Sequence, residues 1–119
     1  MQPTDPTKFT DKAWEIIVKS QDVAKRFQQQ HLEVEHLAIA LLEQKGLADR
    51  ILTRAEVDVT KLGQQLEAFT QRQAKVAKID QLYLGRHLDL MLDRAEAAKD
   101  SWQDQYISVE HLLLALPED

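Results

Sequence analysis

The chain has 119 residues, 44% of them hydrophobic, no cysteine, and 15 basic against 20 acidic side chains for a net charge of −5. This length accommodates one domain, or two very small ones. The lack of cysteine excludes a disulfide framework, a thiolate nucleophile and a cysteine zinc site. The acidic balance argues against a nucleic-acid surface, which needs a clustered basic face.

Leu and Ala supply 30 of the 52 hydrophobic residues, Val and Ile only 13, a balance that favours helices over strands. Pro3, Pro6 and Pro117 leave the 110 residues between the last two free of proline, which an all-β chain with frequent turns would rarely manage. An all-α fold is expected. The longest apolar runs, Leu37–Leu42 and Leu112–Leu116, fall well short of the roughly 18 residues of a membrane span. Met1–Asp5 has neither the basic start nor the apolar stretch of a signal peptide. The expected location is the cytoplasm, with no membrane contact.

In chain order, Phe9 to Gln30 reads as a first long helix. Thr10 is its N-cap and Asp11 lies at the positive end of the helix dipole. Ala13, Ile16, Ile17, Ser20, Ala24 and Phe27 form its apolar face. A second helix over Val34–Gln44 is apolar nearly all round and belongs in the centre of the core; Gly46 is expected to close it. A third spans Leu47–Ala55. A fourth, capped by Asp58 or Thr60, runs to Gln73 with Leu62, Leu66 and Phe69 on one face and Gly63 as a local weakness. About residues 74–82 read as a linker, and the weak basic run Arg72, Lys75, Lys78 as a solvated face. A fifth helix covers Leu84–Gln103 and a sixth begins at Val109.

The last two helices repeat the first two. An offset of 75 sets Phe9–Leu41 on Leu84–Leu116 without a gap, and 8 of 33 positions are identical, among them Val34-Glu35-His36-Leu37 and Val109-Glu110-His111-Leu112. Unrelated sequences would share roughly two. The apolar stripe is kept as well: Ala13, Ile16, Ile17 and Phe27 become Leu88, Met91, Leu92 and Trp102. An ungapped match in both identity and core pattern marks an internal repeat. Repeat one is expected over about 9–73 and a partial repeat two over about 83–119, truncated after its second helix. That last helix is too apolar to be expected in solvent.

Enzyme chemistry finds little support. His31 and His36 do not have the spacing of an H-E-x-x-H zinc site, no P-loop sequence occurs, and no Ser-His-Asp arrangement stands out. The Glu35-His36 and Glu110-His111 pairs could be read as a metal or acid/base site shared by the copies. The structural reading is preferred, with Glu in the first turn facing the dipole and His bonding the preceding loop. Trp14 and Val18 form an apolar pair off the main stripe, where the second copy has Asp89 and Asp93. Trp14 either lines a patch for partners or packs against the other repeat or the N-terminal segment, and packing is favoured.

The residues Phe9-Thr10-Asp11-Lys12-Ala13, Val34-Glu35-His36-Leu37 with Ala40-Leu41-Leu42, and Tyr106-Ile107-Ser108-Val109-Glu110-His111-Leu112 carry a resemblance over nearly the whole chain. It resembles the duplicated Clp repeat domain at the N-terminus of the Clp ATPases, in the form found in the ClpB disaggregases. Gly85 departs from the Ser or Thr cap usual at its position. The resemblance implies a helical pseudo-dimer flexibly tethered to a hexameric AAA+ motor. Such a domain captures exposed apolar segments of unfolded or aggregated polypeptide for threading, with a DnaK-type chaperone system as collaborator. ATP and magnesium would belong to the motor and no cofactor or metal to this domain. The resemblance places substrate handling on Thr10, Asp104 and Glu110, and puts Leu92 in an apolar groove between the repeats. Read from the residues alone, Thr10 is a cap, Asp104 a loop acid, Glu110 a dipole partner and Leu92 core. A stand-alone adaptor or competitor of a Clp machine is the alternative reading.

Overall fold

The computed structural model describes residues 5–44, 46–79 and 82–116. A single 3-10 turn, Pro6–Lys8, leads into α1 (Asp11–Arg26). There follow β1 (His31–Leu32), α2 (Val34–Glu43), α3 (Leu47–Arg54), α4 (Val59–Gln71), β2 (Tyr83–Leu84), α5 (Arg86–Ser101) and α6 (Val109–Ala115). The expected all-α architecture holds, with one two-stranded element that hydrophobic periodicity is too coarse to reveal.

The duplication is written into the element boundaries. α1 and α5 begin and end 75 residues apart, and so do the starts of α2 and α6. Thr10 caps α1, its Oγ1 accepting the Ala13 N–H at 3.2 Å. Asp58, not Thr60, caps α4 by accepting from Lys61 N–H at 3.0 Å. Gly46 does not close α2, contrary to expectation. That helix ends on Gln44, and Gly46, with an extended φ of 165°, stands at the start of α3.

Both long helices stop earlier than the periodicity suggests, and for the same reason. Gln28 and Gln103 adopt left-handed φ of 57° and 58°. The following amides of Gln29 and Asp104 then reach back to Ala24 O and Lys99 O, at 2.9 and 3.0 Å. This is a Schellman closure built on glutamine instead of glycine.

The two copies are tied by a reciprocal exchange. β1, from the loop of copy one, pairs in parallel with β2, the lead-in of copy two, with Leu32 opposite Leu84. In mirror fashion Phe9, the lead-in of copy one, bridges Ile107 in the loop of copy two. Ile107 N–H donates to Lys8 O at 2.8 Å and Thr10 N–H to Ile107 O at 2.9 Å. α1 packs on α2, α5 on α6, α4 lies on α2, and α3 reaches α6. One core results: Ile16, Leu37 and Leu41 from copy one share a buried cluster with Leu88, Met91 and Leu112 from copy two. Each such side chain contributes roughly 1.5–3 kcal/mol on burial.

Candidate functional site

The repeated Val-Glu-His-Leu segment makes the same local device twice. Glu33 N–H donates to His36 Nδ1 at 2.9 Å, and Ser108 N–H to His111 Nδ1 at 2.8 Å. This is half of a capping box, with imidazole in the role of the usual acid. With Nδ1 accepting, the ring proton sits on Nε2 and points at the residue following the left-handed glutamine. In copy one that residue is Gln29, whose Oε1 receives it at 2.6 Å; its amide then donates to Thr70 O of α4, also at 2.6 Å. In copy two it is Asp104, with Oδ2 at 3.0 Å from His111 Nε2. Both rings are 1% exposed. Burial lowers the His36 pKa from 6.5 to about 4, so that ring is neutral at physiological pH. Among the described residues no group of three or more His, Asp or Glu side chains could hold a metal ion.

The seams between the copies differ more. At the β1–β2 seam, Gly85 starts α5 without a side-chain cap. A Cβ there would strike the Glu33 carboxylate and lie 2.7 Å from Leu32 O. Glu33 therefore occupies the space that Thr10 fills in the other copy and closes the seam. Burial and the neighbouring Glu35 raise the Glu33 pKa, while His87 and His31 pull it down. Its Oε1 is the buried side-chain oxygen without a hydrogen-bond partner among the described residues.

At the Phe9–Ile107 seam no side chain among the described residues closes the gap. A groove of about 590 Å³ opens there, lined by Pro6, Thr7, Phe9, Thr10, Asp11, Trp14 and Tyr106. Phe9 and Trp14 meet at 5.6 Å between ring centroids and form its floor. Tyr106 stands at the rim, 47% exposed. Trp14 thus does both things its position allowed: it packs against the N-terminal segment and still faces the groove.

Of the four residues singled out from the resemblance, Thr10 lines this groove. Glu110 is exposed in the first turn of α6, and Asp104 is exposed in the α5–α6 loop on His111. Leu92 is 7% exposed and belongs to the core cluster, not to the groove wall. Tyr106 and Phe9 were not singled out in advance. Their alignment with His31 and Leu84 in the repeat is the signal that could have found them, because Phe9, Trp14 and Tyr106 stand where the other seam has Leu84, Asp89 and His31.

A second open region lies on copy two. Trp102 and Leu114 are 50% and 60% exposed, whereas their equivalents Phe27 and Ile39 are 6% and 2% exposed. Ile39 lies in the contact zone of α2 and α4, near Val59 and Gly63.

Two copies of a helix pair, exchanging lead-in segments around one core, define a duplicated helical domain with an aromatic groove at a seam between repeats. Residues 8–119 match the family described as the Clp repeat (R) N-terminal domain. The chain belongs to that family, as a ClpB-type chaperone N-terminal domain. It is 67% identical to chaperone protein ClpB 1 of Nostoc and 64% identical to that of Synechocystis, in each case over its whole length. It spans 14% and 13% of those relatives, about a seventh of their length. Among solved structures the Hsp104 N-terminal domain of Candida albicans has a TM-score of 0.84 at 24% identity, covering 94% of this chain and 75% of that one. The N-terminal domain of the ClpV1 ATPase from E. coli gives 0.83 at 20%, covering 92% and 68%. These likenesses concern the fold. No helix among the described residues is long and apolar enough to cross a membrane.

Proposed function

We propose that this domain captures exposed apolar segments of unfolded or aggregated polypeptides in the groove at the Phe9–Ile107 seam and delivers them to an AAA+ motor. The observation that carries this reading is the aromatic groove of Phe9, Trp14 and Tyr106 around Thr10, where at the symmetry-related seam the Glu33 carboxylate fills the space beside Gly85. A shallow, aromatic and little-directional surface suits substrates that vary in sequence, because stacking and apolar contact do not demand a fixed hydrogen-bond pattern. Ordering an unfolded segment costs chain entropy, so binding is micromolar or weaker. The motor would supply ATP and magnesium, and a DnaK-type system would refold the threaded product in the cytoplasm. Neither nucleic acid nor a membrane is a partner in this reading. Asp11 at the groove, with Glu110 and Asp104 beyond it, would orient the segment and supply selectivity more than affinity.

The test is anisotropy of a labelled, permanently unfolded polypeptide against the parent chain and Tyr106→Ser. Tyr106 is half exposed, so the substitution leaves the core intact. Binding should weaken about fivefold, the order expected for losing one aromatic contact. Unchanged binding in a folded Tyr106→Ser chain would remove the groove assignment, and equal binding of folded soluble proteins would remove the capture reading.

A further inference from the structure

The two copies treat one aromatic position differently. In copy one Phe27 is nearly buried, with Arg26 Cζ at 5.7 Å and Lys75 Nζ at 5.8 Å from its ring centre. These are the cation–ring contacts found among the described residues, and both fall on Phe27. Copy two has Trp102 at the equivalent place, a better ring for a cation, half exposed. The residue equivalent to Arg26 is Ser101.

Two residues on, the chemistry reverses as well. Gln29 uses its amide N–H to hold a carbonyl of α4. Asp104 has only acceptor oxygens in its ionised form, so no carbonyl can dock there and any occupant must bring a donor. The neighbouring imidazole fixes both groups: Trp102 lies 5.1 Å from the His111 ring, and Asp104 Oδ2 receives its proton at 3.0 Å. Oδ1 has no hydrogen bond among the described residues, and the Asp104 side chain is 48% exposed.

We propose that Trp102 and Asp104, held by His111, form a subsite for an arginine side chain of the captured polypeptide. The guanidinium plane stacks on the indole as Arg26 lies over Phe27, and one N–H edge donates to Asp104 Oδ1. Arginine suits the site better than lysine because one planar group can stack and donate in two directions at once. Charge complementarity agrees: Lys99, the nearest base along the chain, is itself paired with Asp100 at 3.0 Å. His111 acts here as a positioning residue.

This inference rests on the capture reading and sharpens its substrate class. The test uses two versions of one unfolded, apolar-rich polypeptide, one with its arginines kept and one with every arginine changed to glutamine. Anisotropy at low ionic strength should show the arginine version binding about fivefold tighter to the parent chain. Trp102→Ala should abolish that preference while leaving the glutamine version's affinity unchanged, and Asp104→Gln, which installs the copy-one residue, should abolish the preference as well. Trp102→Ala does not alter the net charge, so its effect separates the ring from the general acidity of the chain. Equal binding of the two versions by the parent overturns the subsite and leaves capture standing. So does a preference that survives both substitutions in folded chains. Binding of neither version removes the capture reading and the subsite with it.

Discussion

Copy one and copy two begin from the same helix pair and end in different surroundings. Their helices coincide at an offset of 75 residues, their left-handed glutamines agree within a degree, and their imidazoles make the same bond to the preceding loop. Yet Ile39 is buried where Leu114 is exposed, and the seam beside Gly85 is shut where the seam beside Thr10 is open. Local sequence reproduces local geometry, and the neighbours brought in by the chain decide what that geometry is used for. α4 turns one copy into scaffold. The other keeps its aromatic and acidic groups in solvent.

The sharpest way to break this comparison is to substitute equivalent residues. Ile39→Ser should cost about 3–4 kcal/mol, from the lost apolar contacts and a hydroxyl placed under α4. Leu114→Ser should stay within about 0.5 kcal/mol, as exposed sites do. Urea denaturation of both variants checks this, and similar losses would mean that Leu114 is covered.

The next effect is pH. Burial holds the His36 pKa near 4, while in the unfolded chain it returns to about 6.5. Between those values the unfolded state binds the extra proton, so stability falls as pH falls. The contribution is complete above pH 6.5 and is lost progressively toward pH 4, on the order of 3 kcal/mol. His36→Gln should flatten the pH dependence of the denaturation midpoint over that window while lowering stability at pH 7. A slope unchanged by the substitution would assign the acid sensitivity elsewhere.

Gly85 and Gly63 give the smallest and most discriminating pair. Gly85→Ala should destabilise by about 2 kcal/mol, since its Cβ meets the Glu33 carboxylate and Leu32 O although its φ of −70° suits any residue. Gly63→Ala should stabilise by about 0.5–1 kcal/mol. It lies mid-helix in α4, and its Cβ would meet Leu42 Cδ1 at an ordinary 3.8 Å. Thermal melts of the two variants should therefore move in opposite directions.

Much of the fold was legible in the residues. The apolar stripe from Ala13 to Ala24 is buried as its spacing indicates, Thr10 caps its helix, and the repeat appears in the fold with its offset intact. The ends of the helices were less legible. The stop at Gln28 carries no glycine or proline, because it is fixed from outside through the Gln29 contacts to His36 and Thr70. Gly46 misled for the opposite reason: a residue that commonly ends a helix here begins one. The candidate site was legible at Thr10 and, as one of two readings, at Trp14. Tyr106 and Trp102 look like ordinary aromatics until their partners are known, and Leu92 follows the helical stripe into the core.

The sequence by itself determined the helices, their duplication and the bonds of each imidazole to its own loop, because those depend on residues within a few positions of one another. The tertiary structure alone decided which seam is open, which aromatic is covered and which polar group meets solvent. Those outcomes depend on contacts such as Phe9 with Ile107, Glu33 with Gly85 and α4 with α2, which join residues far apart along the chain. No periodicity records such contacts, because they exist only once the two copies have exchanged their lead-in segments around a common core.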